Sequence, residues 1–175
     1  MGPAGRGYRE RVKSSGPAPA PASQIPGSLS LVLPAYNEEA NIEFVVRDAL
    51  NVLPSFTNDF EIIVVNDGSQ DTTREIVTRL ASSDDRVRPV HHTRNRGYGA
   101  ALTSGFRASR GDYVMFMDAD RQFDIRDLRF LAPFAAEFDV VAGFRKERND
   151  PLHRRLFAEC FNVVYAIQAR DICNE

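Results

Sequence analysis

The stretch YVMFMDADRQFD, Tyr113 to Asp124, runs apolar without a break and then stops at Asp118, Ala119 and Asp120. A run apolar at every position, rather than at alternate ones, fits a strand buried on both faces. Two carboxylates at its end repel each other and resist leaving water, so a divalent cation or a solvated loop must compensate them. The same form recurs on either side of it. LSLVLPA (Leu29 to Ala35) is stopped by Pro34, and FEIIVVND (Phe60 to Asp67) is closed by Gly68. VRPVHH (Val87 to His92) is a third strand whose Pro89 suits an edge, and DVVAG (Asp139 to Gly143) is a fifth.

Helical patterns separate these runs. From about Glu38 to Val52, Ile42, Val45, Val46, Ala49 and Leu50 share one face. Asp71 is placed to cap the next helix, which carries Ile76, Val77 and Leu80. Gly97 to Ala108 reads as a small-residue helix, and Asp127 to Phe138 and Leu152 to Ile167 read as two more. Strands of this kind alternating with amphipathic helices predict an α/β fold, a mainly parallel sheet with helices on both faces.

Composition bounds the rest. The 175 residues suit one globular domain, and the net charge of −2 gives no footprint of a nucleic-acid binder. Cys160 and Cys173 offer neither a zinc site nor a disulfide framework, which points to a reducing cytoplasm. No apolar run reaches the roughly 18 residues of a membrane span. Residues 1–28, rich in Pro, Ala, Gly and Ser, are expected to be a disordered tail, and 29–175 the domain.

In an open parallel sheet, ligands bind beyond the carboxyl ends of the strands. Tyr36, Asn37 and Glu38 follow the first strand, Asp67 ends the second, and Asp118 and Asp120 end the fourth. All should project toward one rim. Taken singly, each motif has an ordinary alternative. PAYNEEAN (Pro34 to Asn41) reads equally as a connection in which Asn37 caps a helix, and VVNDGSQD as an Asp-Gly turn with a cap. RNRGYGAALTSGF (Arg94 to Phe106) lacks the GxGxxG spacing and GK[ST] is absent. Its glycines suit close helix packing, with amides near Gly97 open to a phosphate. GFRKERNDPLHRR (Gly143 to Arg155) is either a solvated charged loop or a source of guanidinium groups for phosphate. His91, His92 and His153 form no metal-ligand or triad pattern.

Together, PAYNEEANI, IIVVNDGSQDTT, NRGYGAALTSGF, DYVMFMDADRQFD and VVAGFR resemble the inverting family 2 glycosyltransferases, over about Ser30 to Asp171. Within them the chain looks most like the dolichol-phosphate and polyprenyl-phosphate mannosyl- and glucosyltransferases. The resemblance implies a nucleotide-diphospho-sugar transferase (GT-A-like) fold. It implies a GDP- or UDP-hexose donor, a polyprenyl phosphate acceptor and Mg²⁺ or Mn²⁺. Position by position, Pro34, Tyr36 and Glu38 would line the nucleotide pocket and Asp67 would contact base or ribose. Asp118, Asp120 and Gln122 would match the metal and diphosphate site. Arg145, with Arg154 or Arg155, would receive the lipid phosphate, and Asp120 would orient acceptor or sugar.

Such a protein would work at the cytoplasmic face of a membrane, in peripheral contact with it. Two departures stand out. Arg121 occupies a position usually small and apolar, and Phe123-Asp124 replaces the usual His-Pro. ARDICNE (Ala169 to Glu175) resembles a segment that normally continues, so a shortened C-terminus is expected. The rival expectations are a non-catalytic nucleotide-sugar-binding remnant and a family 2 transferase with a saccharide or protein acceptor.

Overall fold

A computed structural model of the chain describes residues 24–143 and the backbone of 164–168. The strands are β1 (Leu29–Ala35), β2 (Phe60–Asn66), β3 (Val87–His91), β4 (Tyr113–Phe116), β5 (Val140–Gly143) and β6 (Val164–Gln168). The helices are α1 (Ile42–Val52), α2 (Thr73–Ser83), α3 (Tyr98–Ala108) and the single turn α4 (Leu128–Leu131). The sheet order is β3-β2-β1-β4-β6-β5. β1 to β4 pair in parallel, and β6 runs antiparallel to both β4 and β5. The sheet is therefore mainly parallel, as the apolar runs predict, and β3 with its Pro89 lies at the edge.

The strand side chains divide between two layers. Leu29, Leu31 and Leu33 of β1 and Ile62 and Val64 of β2 pack with Ile42, Val46 and Val77 of α1 and α2. Val32, Ile63 and Val65 point the other way, onto Ala101 of α3. Helix α3 can lie this close because Gly105 faces the sheet: a Cβ there would sit 2.3 Å from Val32 Cγ1. Filling that position would force the helix off β1.

Three expectations are corrected. Residues 127–138 do not form one helix, because Pro133 lacks an N–H. The α-helix gives way to a 3₁₀ turn at Ala132–Phe134. Residues 164–167, expected to end a helix, begin β6, whose VYAIQ carries Val, Tyr and Ile and fits between β4 and β5. The packed chain starts before Leu29. Ile25 is buried and its N–H donates to the Phe56 carbonyl at 2.9 Å. Cys160, Cys173 and the arginines at 145, 154 and 155 lie outside the described residues.

Candidate functional site

The chain places β2 and β3 on one side of β1 and then crosses to put β4 on the other. That reversal opens a crevice beyond the carboxyl ends of β1 and β4. A cavity of ≈ 380 Å³ lies there, lined by Pro34, Tyr36, Glu38, Asp67, Asp118 and Asp120, with Asn95, Gly97, Tyr98 and Ala101 from the α3 side. Three strand ends thus bring their acids to one opening.

The polar residues of the first two motifs mostly bind each other. Asn37 adopts φ 56°, its N–H donates to Ser69 Oγ and its Oδ1 accepts from the Gln70 N–H at 2.9 Å. The Glu38 N–H donates to Thr73 Oγ1, and Glu39 Oε2 accepts from the Thr72 N–H and hydroxyl. Asn37 is therefore a clasp between two loops and not a helix cap, since α1 begins only at Ile42. Asp71 accepts from the Thr73 N–H at 3.0 Å, at the start of α2, and from the Glu39 N–H. The clasp fixes where Tyr36 and Glu38 enter the cavity wall.

Asp67 is buried and held from three directions. Its Oδ1 accepts from the Arg96 N–H at 2.9 Å and lies 2.6 Å from His92 Nδ1, while its Oδ2 accepts from the Gly97 N–H at 2.8 Å. Burial pushes its pKa up, but the bonds from His92 and the two amides outweigh it and leave the carboxyl below the ordinary range. The amides near Gly97, expected to await a phosphate, are thus taken by Asp67. His92 Nε2 in turn lies 2.8 Å from Ser104 Oγ on α3. A Ser-His-Asp grouping that the sequence did not suggest is therefore assembled.

At the other wall, the Tyr98 hydroxyl donates to Asp118 Oδ1 at 2.8 Å. Burial, then Asp118 and Asp120, push the phenol pKa well up, so Tyr98 stays a donor at neutral pH. Asp120 Oδ1 accepts from the Gln122 N–H at 3.0 Å. Arg121 turns through φ 64° and stacks its guanidinium 4.2 Å from the Phe44 ring centroid. Arg121 and Gln122 line a second cavity with Phe44, Asp48 and Phe123. Gln122 is thus beside Asp118 and Asp120 in sequence but on a different opening.

Among the described residues no three His, Cys, Asp or Glu side chains gather into a metal cage. The donor set of Asp118 and Asp120 instead fits a hard cation completed by ligand phosphates, which needs one or two carboxylates. Tyr98, Asn95, His92 and Ser104 escaped the sequence reading. The strand-end rule, applied to β3 as it was to its neighbours, points to His92.

Curated relatives share this stretch. The chain is 42% identical over 131 residues to glycosyltransferase AglD of Haloferax volcanii, covering 73% of this chain and 21% of that protein. It is 39% identical over 137 residues to undecaprenyl-phosphate 4-deoxy-4-formamido-L-arabinose transferase of Pseudomonas aeruginosa, covering 77% and 40%. The chain thus spans well under half the length of either relative. The fold is similar to that of a mannosyltransferase from Pyrobaculum calidifontis solved with GDP-Man and Mn²⁺ (TM-score 0.64, 24% identity, 86% of this chain and 46% of that one). It also matches glucosyl-3-phosphoglycerate synthase of Mycobacterium tuberculosis, solved with Mn²⁺, UDP and glucosyl-3-phosphoglycerate (TM-score 0.61, 27% identity, 83% and 58%). Both likenesses describe a GT-A glycosyltransferase fold. The family model for glycosyl transferase family 2 matches residues 30–171, most of the chain, and the chain belongs to that family.

Proposed function

We propose that this domain transfers a hexose from a GDP- or UDP-sugar to a polyprenyl or dolichyl phosphate, with inversion at the anomeric carbon. The observation that carries the reading is the cavity at the β1/β4 crevice, where Asp67, Asp118 and Asp120 converge. The name of the undecaprenyl-phosphate transferase relative supports the acceptor class. Pro34, Tyr36 and Glu38 wall the nucleotide, and Asp67 accepts from its base or ribose. Asp118 and Asp120, with Gln122 as the third residue of the motif, would hold Mg²⁺ or Mn²⁺ at the diphosphate site. The cation, when bound, supplies positive charge for the departing nucleoside diphosphate.

The acceptor oxygen is already ionised, so no strong general base is needed. Arg145, with Arg154 or Arg155, receives the acceptor phosphate, because guanidinium matches phosphate oxygens in pairs. Asp120 orients acceptor or sugar so that attack comes from the face opposite the leaving group. The reaction would take place at the cytoplasmic face of a membrane. Peripheral contact with that membrane is part of the proposal, and no helix among the described residues is long and apolar enough to cross one.

Calorimetric titration of GDP and UDP into the chain, with and without Mn²⁺, tests the donor site. Metal-dependent binding of one nucleotide, lost in Asp118→Asn and Asp120→Asn at unchanged melting temperature, is expected. Equal binding in both variants would overturn the assignment. Transfer to polyprenyl phosphate that fails in Arg145→Ala would separate this reading from a saccharide or protein acceptor.

A further inference from the structure

Ser104, His92 and Asp67 form a chain of contacts across three elements, at 2.8 Å and 2.6 Å. The order is that of an acid, base and hydroxyl triad, but its orientation is reversed with respect to the cavity. Of the three, Asp67 lines the opening, while Ser104 lies in the middle of α3 and, among the described residues, neither it nor His92 is part of the cavity wall. The carboxylate end, not the hydroxyl end, meets a ligand. We propose that His92, locked by Ser104, is a positioning residue that aims the Asp67 carboxylate into the cavity to accept an N–H or O–H of the nucleoside. This rests on the donor-site reading above.

The chemistry fixes the hydrogen that matters. Ionised Asp67 can only accept, so His92 Nδ1 carries a proton, while the Ser104 hydroxyl, able to donate or accept, bonds Nε2. Asp67 thereby sets the proton on Nδ1, and the Ser104 contact holds the ring in the orientation that aims it there. Oδ1 receives two protein donors, His92 and the Arg96 amide, and among the described residues Oδ2 receives one, the Gly97 amide. A carboxylate offers about four lone-pair sites, so Oδ2 keeps a site for a ligand donor. His92 side-chain exposure is 6% and that of Asp67 is 5%, so water competes weakly for these bonds. Without His92, Oδ1 keeps only one donor and the carboxylate can swing about its last torsion, which is soft for Asp.

Two measurements on the full chain test this. Long-range ¹H–¹⁵N spectra of the histidine rings read the His92 tautomer without any ligand, and calorimetry reads GDP and UDP affinity with Mn²⁺. A proton on Nδ1 is expected in the wild type, and Ser104→Ala, which leaves the ring free to turn, should weaken nucleotide binding. His92→Leu is expected to weaken nucleotide binding about tenfold or more, as loss of a hydrogen bond to a charged group implies. His92→Asn keeps a side-chain N–H where Nδ1 stood and should restore most of that affinity, which a purely structural role would not predict. An Nε2–H tautomer in the wild type, or wild-type affinity in His92→Leu, would overturn the positioning role. Should His92→Leu fail to fold, wild-type affinity in Ser104→Ala would do the same. Absence of nucleotide binding in the wild type would instead overturn the donor-site reading, and the ligand half of this proposal with it.

Discussion

Gly68 shows how one residue serves a site it does not line. It adopts φ 69°, and a Cβ there would meet the Arg94 carbonyl carbon at 2.2 Å and the Asn95 nitrogen at 2.4 Å. Those atoms belong to the backbone that continues into the Arg96 and Gly97 amides on Asp67. Gly68→Ala should therefore lower stability by about 2 kcal/mol or more, from strain and backbone overlap together. It should also weaken nucleotide binding, because the segment carrying two of the three donors to Asp67 must move. Urea unfolding and calorimetry on the same preparation check both. The sequence displayed Asp67 and Gly68 plainly, as a strand end and a turn. It could not display His92 as their partner, since the contact depends on β3 lying beside β2 and on α3 crossing above.

The β1–α1 and β2–α2 loops make the corresponding case for elements. Read one at a time, each looks like a strand-to-helix connection with its own cap, and both loops do lead into helices. The structure spends much of that polarity differently, since the Asn37 and Glu39 side chains, the Glu38 N–H and Asp71 Oδ2 all bond to the opposite loop. Local patterns predict caps because caps are local, and a clasp between two loops leaves no spacing rule to read. Glu39→Ala removes two donors' partner at once, the Thr72 N–H and hydroxyl, and should reduce stability by about 1 kcal/mol at this exposed position. Nucleotide affinity should fall as well, because Tyr36 and Glu38 sit on the loop so released. Glu39→Gln retains an acceptor oxygen and should lie between. If Glu39→Ala bound nucleotide as the wild type does, the clasp would have no part in shaping the cavity.

At the scale of the molecule, the sheet has a functional rim at its carboxyl ends and a structural tie at its amino ends. The parallel sheet follows from the apolar runs and the helices between them, which is why the rim was legible from the sequence, whereas the strand order with its reversal at β1 was not. The tie was not, because it joins residues far apart in sequence. Glu61, near the amino end of β2, accepts from Ser30 Oγ of β1 and the Arg110 N–H before β4, both at 2.7 Å, and from Arg88 of β3. Burial raises the Glu61 pKa, but the bonds from Ser30, Arg88 and Arg110 outweigh it and hold it below its ordinary 4.5. A carboxyl whose folded pKa is depressed contributes stability above its unfolded pKa and loses it as pH falls through the folded one. Glu61→Gln should therefore be less stable than the wild type at neutral pH, and the gap should narrow once the pH drops below 4.5. Urea unfolding of both proteins across that range reads the gap directly. A gap independent of pH would mean that the charge on Glu61 contributes nothing. Nucleotide affinity at neutral pH should be the same in both, because Glu61 and the cavity occupy opposite ends of the strands. That separates it from His92→Leu, whose effect should fall on the ligand.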